Sequence, residues 1–162
     1  MDFELPIKRI LNEPDTYSKD ISLLKTVICY KSFFQDIQEK DYLLCCKEGK
    51  FQYTPIFYSF VQQLFKADLV ASDSEMQDFL AQLNCYNDQN SSCYKVWVKY
   101  MNNILADKDL IKETNLCFLK KSLATIISLE KIIPGSWGID AENGNWLRII
   151  IQIERIYRKL IA

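Results

Sequence analysis

Six side chains near the C-terminus have types and spacings that could support chemistry, and three of them are carboxylates. The six are Glu130, Lys131, Trp137, Asp140, Glu142 and Trp146. Three of the four glycines in the chain lie among them, between residues 135 and 144, which indicates a sharply turning backbone. Acidic groups gathered at such a turn could bind a cation, a basic partner or a small ligand.

The same residues also have a structural interpretation, which we favour. Asp140 and Glu142 could cap neighbouring backbone amides, and Trp137 could fill a corner between two helices. Asn143 followed by Gly144 is typical of a helix end, because glycine adopts the left-handed conformation at little cost. The pattern therefore predicts a packed helix–turn–helix corner, with a ligand site at this corner as the alternative.

Several reaction classes are excluded by residue type. The chain has no histidine, which removes Ser-His-Asp and Cys-His catalysis, histidine acid–base chemistry and histidine metal sites. The run Gly135-Ser-Trp-Gly138 resembles a phosphate-binding loop only superficially, since no lysine–serine pair follows it and no strand precedes it. We therefore predict no catalytic residue, no metal ligand and no cofactor.

Two further patterns have a structural interpretation that we prefer. Asp41 followed by the triplet Glu48–Lys50 is similar to the acid-x-lysine core of metal-dependent nucleases, but the middle residue of the triplet is a turn glycine, so a solvated hairpin turn is favoured. The adjacent thiols of Cys45 and Cys46 could bind a soft metal or form a strained disulfide. Strand geometry would instead place these two side chains on opposite faces.

Length, composition and charge indicate one mostly helical domain. The chain has 162 residues, 49% of them hydrophobic, with four prolines and four glycines. Its net charge is −1, from 20 basic and 21 acidic residues, which gives no electrostatic reason to expect nucleic acid or a membrane surface. The acidic N-terminus has no signal-peptide pattern, and the six cysteines match no zinc or redox spacing. We therefore expect reduced thiols and a cytoplasmic protein.

Hydrophobic periodicity predicts where the helices and strands lie along the chain. The clearest is the final helix, in which Trp146, Ile149 and Ile153 recur at three- and four-residue spacing. Residues 41–54 are predicted to form a small β-hairpin around Gly49, with a continued helix and a loop as the alternative. The remaining predictions are a leading segment over 1–18, a loop over 84–92, and helices near 19–39, 55–70, 72–83, 92–105 and 116–130. The total is about six or seven helices.

The corner also resembles a known family. The run Glu130-Lys-Ile-Ile-Pro-Gly135, followed by Glu142-Asn-Gly144 and a basic-apolar helix, is similar to the end of a bacterial family of uncharacterised proteins, the domain-of-unknown-function family numbered 6508. In that family the region reads Arg-Gly-Glu-Arg-Phe-Cys-x-Gly, then a short helix ending in Glu-x-Gly, then a final helix. The segment 53–61 is similar to the family's aromatic-proline lead into a central helix.

The chain departs from the family pattern at three positions. Ser128 stands where the family has its first arginine, Lys131 replaces the second arginine, and Ile132 replaces the phenylalanine. The resemblance implies a small, mostly helical bacterial domain, and it implies no activity.

Two functional hypotheses follow from different classes. The first is a protein-interaction module of the immunity, antitoxin or adaptor type, which predicts an exposed apolar or aromatic patch large enough to bind a protein. The second is a histidine-free enzyme or ligand binder at the corner, which predicts a concave pocket in which Glu130 or Asp140 is buried with a shifted pKa. The neutral charge and the missing catalytic motifs favour the first.

Overall fold

A computed structural model of the chain describes residues 4–83 and 92–162. These residues form a mainly helical fold with one small antiparallel hairpin, which confirms the predicted fold class. The elements in chain order are α1 (Glu4–Leu11), α2 (Ser22–Ile28), α3 (Lys31–Phe34), α4 (Glu39–Tyr42), β1 (Leu43–Lys47), β2 (Lys50–Tyr53), α5 (Pro55–Lys66), α6 (Asp73–Gln82), α7 (Ser92–Ala106), a 3₁₀ turn (Ile111–Glu113), α8 (Leu116–Ile132), α9 (Ser136–Glu142) and α10 (Asn145–Ile161). Across the two described ranges, no helix has both the length and the apolar character needed to cross a membrane.

Helix α10 lies at the centre of the core. Its buried face contains Trp146, Ile149, Ile150, Ile153 and Ile156, as the three- and four-residue spacing predicts. The helix packs against α2, α3, α7, α8 and α9, and the buried apolar side chains join one cluster that runs from residue 7 to residue 156. Several other helices therefore bury their apolar faces by contacting α10.

An aromatic cluster fills the space between α10 and α5. The rings of Phe57 and Phe60 meet the indole of Trp146 edge to face, with centroids 5.8 and 5.5 Å away. Each such pair adds roughly 0.5–1.5 kcal/mol to the stabilisation from area burial. Phe57 also stacks on Trp137 at 5.7 Å, so the cluster connects α5 to the predicted corner.

The predicted hairpin is confirmed. Strands β1 and β2 pair antiparallel, and Lys47 pairs with Lys50 across a two-residue turn. Both turn residues have positive φ, 54° at Glu48 and 74° at Gly49, which suits the right-handed twist of a tight hairpin. Glu48 and Lys50 are both exposed on this turn, as expected for the solvated turn and not for a nuclease-like core.

Two predictions on the N-terminal side are wrong in detail. Residues 4–11, predicted as part of a leading segment, form α1, and Pro6 lies in its first turn, where the missing N–H breaks no helical hydrogen bond. The helix predicted over 19–39 is divided into α2 and α3, and the chain turns at Asp36, whose φ is 53°. No proline or glycine lies between α2 and Asp36. The sequence therefore has no helix-breaking residue there that would have predicted the division. The predicted loop over 84–92 lies outside the described residues except for Ser92, where α7 begins.

Two glycines form the turns on either side of α9. Gly135 and Gly144 precede α9 and α10 with φ of 91° and 88°, a conformation that other L-residues rarely adopt. The ring of Phe51 lies directly over Gly135, 2.9 Å from where a Cβ would be. The hairpin therefore packs directly on the turn at Gly135, and the ring of Phe51 leaves no room for a side chain at this position.

Replacing Gly135 by alanine should destabilise the protein more than replacing Gly49 by alanine. Both positions have positive φ, so each variant should lose roughly 1 kcal/mol to the left-handed backbone. Only the Cβ at residue 135 meets a ring, whereas nothing lies within 4 Å of a Cβ at Gly49, and overpacking adds roughly 1–3 kcal/mol. Urea unfolding measures the two losses, and equal losses would contradict this packing.

Candidate functional site

The carboxylate of Glu130 connects three parts of the fold at the corner. Its Oε2 accepts a hydrogen bond from the backbone N–H of Gly135 at 2.7 Å, and its Oε1 accepts one from the N–H of Trp137 at 3.0 Å. The Tyr53 hydroxyl, from β2, donates to the same Oε1 at 2.6 Å. A side chain near the end of α8 therefore caps the start of α9 and holds the hairpin against both.

Tyr53 remains a proton donor in this arrangement. Burial raises the pKa of its hydroxyl well above the usual value, and the hydrogen bond to the Glu130 carboxylate raises it further. The Tyr53 ring stacks on Trp137 with centroids 5.4 Å apart. The hydroxyl and the ring thus fix the hairpin to the corner by different interactions.

Both tryptophans of the corner are packed and have hydrogen-bonded indoles. Trp137 is 9% exposed and donates from Nε1 to the carbonyl of Ile127 at 3.2 Å. Trp146 is fully buried and donates from Nε1 to the carbonyl of Trp137 at 3.0 Å. Because each indole N–H is satisfied within the fold, these side chains contribute packing and orientation.

Asp140 belongs to a second polar network, between α9, α10 and α7. Its Oδ1 accepts from Nδ2 of Asn145 at 2.8 Å, and Nη2 of Arg148 donates to Oδ1 of Asn145 at 2.7 Å. Arg148 also donates from Nε to the carbonyl of Leu105 at 2.8 Å. Burial raises the pKa of the Asp140 carboxyl, and the hydrogen bonds and the nearby guanidinium only partly oppose this. The network is a buried connection between helices.

The other two predicted site residues lie on the surface. Lys131 and Glu142 are both exposed. Burial raises the pKa of the Tyr42 hydroxyl to about 12, and the negative charge of the nearby Glu142 carboxylate contributes to this shift. The structure therefore brings Glu130 close to Trp137 but does not gather all six residues around one space. In the described part of the chain, no group of three acidic or cysteine side chains is placed to hold a metal ion.

Two surface grooves lie on either side of the exposed face of α5, and none of these six residues lines them. The first groove, between the hairpin and α5, has a volume of about 510 Å³ and is lined by Leu44, Gln52, Tyr53, Pro55, Tyr58, Ser59 and Gln62. The second, between α5 and the α2–α3 segment, has a volume of about 530 Å³ and is lined by Thr26, Cys29, Tyr30, Ser32, Phe33, Ile56 and Gln63. No lining residue of either groove carries a charge.

Sequence reasoning missed the partners that define these features. Tyr53 lies 77 residues from Glu130, and Arg148 lies 43 residues from Leu105, whose carbonyl accepts its hydrogen bond. A weak signal existed for Tyr53, since it alternates with Phe51 on one face of a strand. Nothing in the local sequence indicated that α5 would be bordered by two uncharged grooves.

Replacing Glu130 by alanine should lower the free energy of unfolding by roughly 2–4 kcal/mol, because three donors lose a charged acceptor in a partly buried place. Replacing the exposed neighbour Lys131 by alanine should change it by less than about 0.5 kcal/mol. Urea unfolding followed by tryptophan fluorescence measures both. A Glu130→Ala variant as stable as Lys131→Ala would show that the carboxylate does not hold the corner.

Asp140→Asn should become more stable relative to the natural chain as pH rises. The folded-state pKa of Asp140 is raised, so this carboxyl favours the folded state most below its unfolded pKa of about 3.9 and less as pH rises through the folded pKa. Asparagine stays neutral and does not show this loss. Urea unfolding at several pH values from about 3.5 to 7 measures the difference, and a difference that shrinks with rising pH would contradict the direction of the shift.

Comparison with known proteins adds no family assignment. No family model matches the chain, and no curated protein or solved structure matches it significantly. The resemblance of the corner to the domain-of-unknown-function family numbered 6508 therefore stays a prediction, and the functional argument depends on the geometry described above.

Proposed function

We propose that this chain is a protein-interaction module of the immunity, antitoxin or adaptor type, and that its partner binds the α5 face. By the α5 face we mean the exposed side of α5 together with the two grooves that border it. The observation that supports this proposal is the absence of charge from all the residues that line both grooves. Charged residues make up 25% of the whole chain, and charge depletion at the centre of a patch is the compositional mark of an interface.

Exposed apolar side chains add to this support. Leu44, Ile56 and Tyr58 are 64, 45 and 40% exposed, and all three line the grooves. Large apolar side chains that cluster beside aromatic and amide groups provide the contact area of a binding site. Amide and hydroxyl groups from Gln52, Ser59 and their neighbours would then pair with a partner's backbone without desolvating a charge.

The α5 face is also held in place before binding. Helix α5 buries Phe57, Phe60 and Leu64 in the core, and the Tyr58 hydroxyl accepts a hydrogen bond from the backbone N–H of Tyr53 at 3.3 Å. The Tyr58 ring lies 6.1 Å from that of Trp137. A preformed surface loses less side-chain entropy on binding, so the corner supports recognition by fixing the α5 face.

The same surface fits a protein partner better than nucleic acid. Nucleic-acid binding draws most of its affinity from lysine and arginine at phosphates, and neither residue type lines the two grooves of the α5 face. We place the module in the bacterial cytoplasm, in part because the exposed thiols of Cys29 and Cys46 suit a reducing compartment.

The geometry gives less support to an enzyme or small-ligand site at the corner. Both oxygens of Glu130 and Oδ1 of Asp140 accept hydrogen bonds from within the fold. A ligand would have to displace these donors, which stabilise the start of α9 and the connection to α10. None of the six corner residues lines either of the two grooves described above.

Single charges on the α5 face should abolish partner binding. We would introduce Ile56→Glu and Leu44→Glu separately, and use Leu110→Glu as the matched control, since Leu110 is 47% exposed and lies outside both grooves. A buried unpaired carboxylate at an interface should weaken binding at least tenfold. Tagged chains of each variant, with circular dichroism confirming the fold, are compared for recovery of the same partner from native lysate.

The proposal predicts recovery by the natural chain and by Leu110→Glu, and loss with both groove variants. Sedimentation of the purified chain tests whether the partner is a second copy: self-association that only the groove variants abolish would identify it. Recovery that is equal for all variants, or lost equally with Leu110→Glu, would show that the α5 face is not the binding surface.

A further inference from the structure

Cys117 and Lys121 lie one turn apart on α8 with their reactive atoms in contact. The Nζ of Lys121 donates a hydrogen bond to the Sγ of Cys117 at 3.1 Å. Both side chains line a cleft of about 190 Å³ between the start of α8 and the segment 13–16. A small molecule can therefore reach the sulfur, and the amine is already within the distance from which bond formation proceeds.

Two further groups lie beside this pair. The exposed side chain of Glu13 also lines the cleft. The ring of Phe79 lies 5.7 Å from the Nζ of Lys121, within the range of a cation–π contact. The sulfur therefore has an amine that can form a bond beside it, in a cleft that also contains a carboxylate.

The fold fixes the segment that forms the cleft with α8. The side chain of Asn115 donates from Nδ2 to the backbone carbonyl of Glu13 at 3.0 Å, and Oδ1 of Asp15 accepts from the N–H of Leu116 at 2.7 Å. These two bonds tie the segment 13–16 to the first turn of α8. The cleft beside Cys117 and Lys121 is therefore part of the packed structure.

We propose that Cys117 and Lys121 form a reversible sulfur–nitrogen bond, a sulfenamide, when the chain meets hydrogen peroxide or another hydroperoxide. In the first step the thiol is oxidised to a sulfenic acid, and the peroxide is reduced to water or an alcohol. In the second step the Lys121 ammonium releases one proton to the solvent, and the neutral amine attacks the sulfur. The S–N bond forms, the S–O bond breaks, and hydroxide leaves with a proton as water.

Among the four cysteines whose side chains the structure describes, Cys117 has a lysine amine hydrogen-bonded to its sulfur. Cys29 and Cys46 are exposed, and the Sγ of Cys45 contacts the Oε1 of Gln52, an oxygen that cannot condense with a sulfenic acid. Burial raises the pKa of the Cys117 thiol, and Lys121 only partly opposes this, so the first step should accelerate as pH rises. The amine then captures the sulfenic acid before a second peroxide oxidises it irreversibly.

The link would change the charge of the cleft without changing the fold. A sulfenamide nitrogen is not protonated at neutral pH, so the cleft loses one positive charge beside Glu75 and Lys120, which also line it. Residues four apart on a helix face each other, so the bond closes within one turn of α8. Thiol reductants reverse it and restore both side chains.

The test is mass spectrometry of the full chain after treatment with hydrogen peroxide, followed by a thiol reductant. The peptide that spans residues 117 to 121 should lose about 2 Da, the mass of two hydrogens, and the reductant should restore it. Cys117→Ser and Lys121→Arg should both abolish this loss, since neither can form the bond. Lys120→Arg is the matched control, because Lys120 lines the same cleft, and it should retain the full effect.

Other outcomes would overturn the proposal. In Lys121→Arg the oxidised Cys117 should instead gain one or more oxygens, at least threefold more than in the natural chain. Oxygen gain on Cys117 that is equal in both chains, with no loss of two hydrogens in the natural chain, would show that Lys121 does not capture the sulfenic acid. A gain of about 14 Da on the linked peptide would indicate an oxygen-bridged link instead of the sulfenamide.

Discussion

The Glu130 carboxylate is the interaction on which the C-terminal half depends. It is one side chain, but it accepts from two backbone amides of the turn and from a phenol of the hairpin. Gly135 at the start of α9 has no side chain with which to cap the helix, so the acceptor must come from elsewhere. Glu130 provides it from the preceding helix, and its two hydrogen bonds connect α8 to the start of α9.

The corner and the α5 face are connected through the aromatic side chains between them. Trp137 stacks on Tyr53 and on Phe57, and Tyr53 binds the Tyr58 hydroxyl through its backbone N–H. The hairpin is only two strands wide, and a sheet of that size is not stable without packing on another element. The corner provides this packing, so residues that resemble a chemical site support a neighbouring surface.

The sequence was sufficient to predict the elements that are determined by residues close together in the chain. The helix predicted near 72–83, the glycine turn of the hairpin and the apolar face of α10 all appear where the sequence predicts them. The site could not be derived in the same way. The contact between Tyr53 and Glu130 spans 77 residues, and no pattern within either segment specifies the other. The two grooves of the α5 face likewise combine segments from 26 to 63, and the lack of charge along them becomes visible only after folding.

The Cys117–Lys121 pair shows the opposite relation between sequence and structure. The two residues are four apart on one helix, so their proximity is local and follows from helix geometry alone. A cysteine four residues before a lysine has no chemical meaning by itself, because neither thiolate formation nor access to the sulfur is fixed by that spacing. The segment 13–16 provides both the cleft and the carboxylate, and Asn115 and Asp15 hold it there. Reactivity at Cys117 is therefore a property of the tertiary contact between α8 and the chain that follows α1.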